Sequence, residues 1–208
     1  MRWFLKIVTY GTEGYPEKLA RGLRVLNATT LGGSVFVLGF ALYDSVAGLW
    51  TLATINVLTA LFLIATPLWH RVGPLAAPLA YIVGTYTAVF VICSMLGTDS
   101  GMQVQYLAIA AGFVLVIGTE RFILLAVVGS VAVTLIVALE ILAPHDTGLL
   151  SKRQMLENFI GCIVGTGLIL FAIVFYAVRV AARAEAATER EYKRSESLLT
   201  NILPAAIA

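Results

Sequence analysis

FILLAVVGSVAVTLIVALEILA, residues 122–143, decides the class of this chain. The run carries a single ionisable side chain, Glu140, close to its far end. As a helix it rises about 33 Å at 1.5 Å per residue, enough to cross a hydrocarbon core roughly 30 Å thick. Its many Val and Ile residues would favour a strand in water. In lipid no water satisfies backbone N–H and C=O groups, so an isolated apolar run has to be a helix. Comparable runs lie on either side, at 25–46, 48–69, 75–96, 102–118 and 157–179. The expected fold is therefore all-α and polytopic, with six transmembrane helices. Every connection but Pro144–Leu156 is short, which makes consecutive helices antiparallel neighbours in three hairpins.

Composition agrees. The chain of 208 residues is 60% hydrophobic and 12% charged, against roughly 25% charged in soluble domains; mean hydropathy is +0.92. A soluble core of this size could not bury so much apolar surface. The net charge of +2 comes without a broad basic patch, which argues against nucleic acid as a partner and leaves the lipid bilayer as the first one. Cys93 and Cys162 both sit inside apolar runs and read as small buried residues. Lys6 interrupts the first apolar stretch and no small-residue cleavage site follows, so the start is not read as a secretory signal.

Positive charge sets the expected orientation. With the N-terminus inside, twelve of the 14 Lys and Arg residues fall on the cytoplasmic side and only Lys152 and Arg153 outside, so both termini are expected in the cytoplasm. Residues 1–24 read as interfacial amphipathic helices. Trp3, Phe4, Ile7 and Val8 would face lipid, Arg2 and Lys6 the headgroups, and Pro16 stands where a helix can start.

The C-terminal part changes character. After Gly167 there is no Gly or Pro until Pro204, so the sixth helix is expected to run on into the cytoplasm; residues 168–203 would measure about 54 Å. A heptad frame places Val180, Ala184, Ala187, Glu191, Arg194 and Leu198 on one seam. Two of these are charged, which makes any coiled coil marginal. Residues 180–203 read either as a solvated helix or as a signalling helix paired with a second copy.

Candidate site residues cluster at the expected outer face. Glu140 lies 18 residues along from Phe122, about 27 Å up the span, where a carboxylate has to be hydrated, protonated or paired. Asp99 follows the end of the third span by three residues. A divalent cation bridging the two acids is one reading, with Asp44, His145 and Asp146 as reserves and Glu157 nearby; an interfacial acid reaching outward is the other. Asp44-Ser45, Asp99-Ser100 and Asp146-Thr147 also suit turn and capping chemistry. Asn56, Gln103 and Gln105 read as interhelical hydrogen-bonding groups, and Gly161 and Gly165 as a point of close helix approach, within one chain or across a homodimer. Trp50, Trp69 and Tyr43 read as interface aromatics. His70 reads as a loop residue with no evident chemistry.

Several stretches resemble a known family. SESLLTNILPAAIA (Ser195–Ala208) is similar to the junction that precedes the catalytic domain of class III adenylate cyclases. TINVLTA (Thr54–Ala60), TPLWHRVG (Thr66–Gly73), LGTDSG (Leu96–Gly101) and ALEILAPHDTGL (Ala138–Leu149) resemble the six-helix anchor of bacterial membrane-bound members, and ARAEA (Ala182–Ala186) their linker helix. The resemblance covers most of the chain from about Val25. It implies a parent protein that converts ATP to cyclic AMP and pyrophosphate in a dimeric cytoplasmic domain, with Mg or Mn, in a bacterial plasma membrane. None of the family's catalytic residues falls within these 208 positions. This stretch is then expected to be inactive by itself, 204–208 to begin the junction to a further domain, and the membrane part to anchor, dimerise and receive an outer ligand or ion. A sensor for another output such as a kinase keeps the same architecture. A small transporter or channel fits less well, because the centres of the spans carry no charge.

Overall fold

The computed structural model of the chain describes residues 7–202; the readings made on Arg2, Trp3, Phe4, Lys6 and Pro204–Ala208 lie outside the described residues. From Glu17 onward six α-helices follow in order: α1 Glu17–Val46, α2 Trp50–Ala65, α3 Ala76–Leu96, α4 Gln105–Ile117, α5 Phe122–Leu142 and α6 Lys152–Ile202. Short 3-10 turns join them at Thr66–Arg71, Thr98–Ser100, Met102–Val104 and Thr119–Arg121. No strand occurs among the described residues.

Five of the described helical stretches are long and apolar enough to cross a membrane: Leu19–Val46, Trp50–Arg71, Ala76–Leu96, Phe122–Leu142 and Lys152–Arg194. The fourth apolar stretch of the expected six is shorter, Met102–Ile117. At 1.5 Å per residue it rises about 24 Å, less than a full hydrocarbon core. Glycines in conformations that L side chains rarely adopt flank it, Gly101 and Gly118, both at φ 72°. α1 begins at Glu17, directly after Pro16, whose missing N–H is no loss at a helix start.

The chain divides into two compact units, Met1–Ile169 and Leu170–Ala208. Within the first, α1 packs most extensively on α2, and α3, α4 and α5 gather around a buried core that includes Tyr81, Tyr86, Tyr106 and Phe113. Two of its tyrosine hydroxyls bond between helices. Tyr106 donates its hydroxyl to the Tyr86 carbonyl (3.1 Å) and Tyr86 donates to the Val128 carbonyl (3.2 Å), with the two rings edge to face at 5.0 Å. These bonds tie α3, α4 and α5 together where lipid offers no substitute partner. Most remaining apolar side chains, such as Val35, Ile123 and Ile141, stay exposed on the outside of the unit, as lipid-facing residues do. In the second unit α6 is exposed over nearly its whole surface. Val180 is half-buried, Ala184 and Ala187 are exposed, and the side chain of Leu198 lies outside the described set.

The two ends of the bundle differ. One end holds Arg71 and the turn at Thr119–Arg121; the other holds Asp44, Asp99, Glu140 and the Pro144–Ser151 loop. At the first end a histidine clamps the preceding segment. Asn27, wholly buried on α1, donates both amide hydrogens, to the carbonyls of Val8 and Tyr10 (3.0 Å each). Its Oδ1 is thereby fixed as an acceptor, so the Nε2 of His70 at 2.8 Å donates to it. Tyr15 donates to the His70 carbonyl (3.0 Å), and Arg71 donates to the Tyr10 hydroxyl (2.6 Å). His70 is only 3% exposed, which corrects its reading as an idle loop residue. The signal was present in the sequence: Asn27, Thr30 and Ser34 form a polar stripe at helical spacing on an otherwise apolar helix, and all three are buried.

Candidate functional site

The acidic end is built by two loops that lie on each other. Thr98 N–H donates to the Pro144 carbonyl (3.1 Å) and Asp99 N–H to the His145 carbonyl (2.9 Å), while Thr147 donates its hydroxyl to the Met95 carbonyl (2.6 Å). This pairing brings the end of α3 and the segment after α5 into register. Gly97 makes it achievable. Its backbone at φ 94° and ψ 163° belongs to a region used essentially by glycine, and a Cβ there would overlap the His145 carbonyl.

The register fixes where the titratable groups stand. The Nδ1 of His145 lies 3.0 Å from the Thr98 hydroxyl, 3.8 Å from Glu140 Oε1 and 4.0 Å from Asp99 Oδ1. The two acids singled out in the sequence therefore converge on one point, and an imidazole occupies it. All three side chains are more than half exposed, so their attraction is screened by water and salt. Asp146 turns away and accepts from Gly148 N–H at 2.8 Å, a local turn cap. Among the described residues no group of three or more His, Cys, Asp or Glu side chains is arranged to hold a metal ion.

The Thr98–Gln105 segment carries the acid Asp99 on one side and holds α6 on the other. Asn158 of α6 donates to the Ser100 carbonyl (3.0 Å), and Cys162 sits 3.4 Å from the Met102 sulfur and 3.7 Å from the Gln105 amide nitrogen that points at it. Gln103 donates back to the Thr98 carbonyl (2.9 Å), stiffening the segment from inside. Gln103 and Gln105 thus bond across elements, and both cysteines are buried and free. Asn158 was missed in the sequence because its partner across elements, the Ser100 carbonyl, comes from a loop far away in the chain. A Cβ at Gly165 would meet the Phe36 ring of α1 at 3.8 Å, whereas one at Gly161 would meet nothing within 4 Å.

Asp44 is not part of the Asp99 cluster. It lies 8% exposed near the end of α1, accepting from the Asn56 amide at 2.8 Å, and lines a cavity of about 420 Å³. The apolar walls are Phe36, Phe40, Leu52, Leu96 and Leu150. Tyr43, Gln154, Glu157 and Asn158 supply the other polar lining, so α6 forms a wall of the cavity as well as the seat of the loop.

The MASE7 family model matches residues 12–192, which includes every residue of both arrangements. The chain belongs to the MASE7 family. Over 199 residues, 95% of its length, the MASE7 chain is 43% identical to proteins named adenylate cyclase in Mycobacterium bovis (strain ATCC BAA-935 / AF2122/97) and in the CDC 1551 / Oshkosh and H37Rv strains of Mycobacterium tuberculosis. It spans about 45% of the length of those relatives. The resemblance read in the sequence, to the membrane domain of a bacterial adenylate cyclase, is borne out at that level.

Proposed function

We propose that this MASE7 domain is the membrane anchor and receptor of an adenylate cyclase. In this reading it holds two copies of the chain together and passes the state of its Asp99 end through α6 to a further domain that converts ATP to cyclic AMP and pyrophosphate. That domain would use Mg or Mn with its nucleotide and would supply all the catalytic residues. The bundle end with Arg71 and Arg121 would face the cytoplasm of a bacterium and the Asp99 end the outside, following the bias of positive charge. A cation arriving at the Asp99 end would compete with the His145 imidazole for the same two carboxylates, which is how an ion could be read there. Gly161, open in its own chain, and the exposed Ala184 and Ala187 are where a second copy would pack.

The observation that carries the reading is the hold on α6. One helix, Lys152–Ile202, has its first turns bonded to the loop that carries Asp99 and contains, further along, the charged residues up to Arg194. A shift of that loop between two packings would have to move α6. A ligand biases such an equilibrium only by its difference in affinity for the two states.

The test is rotational phase. In the full-length protein, one residue inserted after Ala184 turns everything beyond it by about 100°, whereas seven residues restore the phase to within about 20°. The expected outcome is a several-fold change in cyclic AMP production for the single insertion and a return to within about twofold of wild type for the seven-residue insertion. Equal rates in all three proteins would reduce α6 to a passive tether.

A further inference from the structure

We infer that the cavity beside Asp44 is a binding site for a small amphiphilic cation, an ammonium group carrying an apolar ring or short chain. The inference rests on the receptor reading for what the site is for, though not for whether it exists.

The argument starts from the carboxylate. Asp44 is nine-tenths buried at the end of a membrane helix, where an unpaired charge is costly. Its hydrogen-bond partner is a neutral amide, Asn56 on α2. Among the described residues no Lys, Arg or His forms an ion pair with it. Arg153 on α6 is engaged by Glu157 at 2.8 Å. A buried acid with no cation of its own is ordinarily a weakness, since the desolvation of the charge is not repaid. Here the acid lines a cavity with apolar walls.

The cavity fits the missing partner. Its volume of about 420 Å³ lies in the range of small-molecule sites, apolar walls with a few convergent polar groups being their usual composition. Leu52, Leu96 and the two phenylalanines would take the tail, Asp44 the charge, and the Asn158 carbonyl oxygen a further N–H group of the head. No basic residue lines the cavity, so an anionic head such as a carboxylate or phosphate meets no counter-charge. Because Asn158 lines the cavity and also holds the Ser100 carbonyl, an occupant would touch the hinge between loop and α6.

The experiment is calorimetric titration of the full-length protein in lipid nanodiscs with 4-phenylbutylammonium, with 4-phenylbutanol and 4-phenylbutanoate as probes of the same tail. Empty nanodiscs give the partition of each probe into lipid. Saturable binding of the ammonium is expected, at least tenfold tighter than either control, and at least tenfold weakened by Asp44→Asn. Gly39→Leu adds a side chain to the cavity lining from α1 while leaving Asp44 in place, and nothing lies within 4 Å of a Cβ at Gly39; saturable binding should disappear. Equal binding of all three probes would overturn the proposal and make the cavity a slot for lipid tails. Absence of saturable binding to wild type, or indifference to both substitutions, would overturn it as well. Binding with no change in cyclic AMP output would leave the site standing and remove its receptor role; output that follows Glu140 with no binding at Asp44 would do the reverse.

Discussion

A Gly97→Ala protein loses about 4 kcal/mol of stability, which corresponds to roughly 10 °C in thermal midpoint for a chain of this length. Two effects add. The backbone at φ 94° and ψ 163° lies where a side chain strains the residue by about 1–3 kcal/mol. The new methyl also overlaps the His145 carbonyl and comes within 3.0 Å of the Asp146 Cα. These are backbone atoms in a paired loop, so no rotamer change relieves the overlap, and crowding of this kind costs about 1–3 kcal/mol. The loops can only separate, which releases the Thr98–Pro144 and Asp99–His145 hydrogen bonds and moves the imidazole off Glu140. Thermal loss of monodisperse protein in detergent measures the effect. Gly129→Ala on α5, where a Cβ meets nothing within 4 Å, is the control and should stay within about 1 kcal/mol of wild type.

Gly22→Leu is expected to cost about 3 kcal/mol by a different route. α1 and α4 approach so closely at Gly22 that a Cβ would overlap the carbonyl oxygen of Val116. Its helical backbone is unstrained, so the loss comes from pushing α1 away from α4. That displacement also loosens Asn27, five residues on, from the carbonyls of Val8 and Tyr10. The same thermal assay reads it, and limited proteolysis before Pro16 should become faster in this variant than in Gly97→Ala.

The helical class and the place of Glu140 along its helix could be read from the chain because each depends on local composition. An apolar run of about 20 residues has one solution in lipid, and an acid 18 residues along it has one depth. The short stretch Met102–Ile117 was legible in the same way, since Thr98-Asp99-Ser100-Gly101 and Gly118-Thr119-Glu120-Arg121 bracket the apolar run read at 102–118. The convergence of Asp99, Glu140 and His145 depends on the Pro144–Ser151 loop folding back onto Gly97, a pairing that no periodicity encodes. Asp44 was recognised as an acid of the same end, but its place in a cavity away from the other acids comes from α1 packing on α2. Asn158 gains its meaning only from the Ser100 carbonyl.

In the proposed reading the Asp99 end governs the output of an adenylate cyclase. Cyclic AMP production by the full-length protein in sealed, oriented vesicles tests it most directly, with Ca²⁺ or Mg²⁺ titrated on the Asp99 face and wild type compared with Asp99→Ala and Glu140→Ala. The expected result is a wild-type rate that changes with the cation and a response flattened by either substitution, at equal protein abundance. Identical titration curves for the three proteins, or no cyclic AMP from any of them, would contradict it.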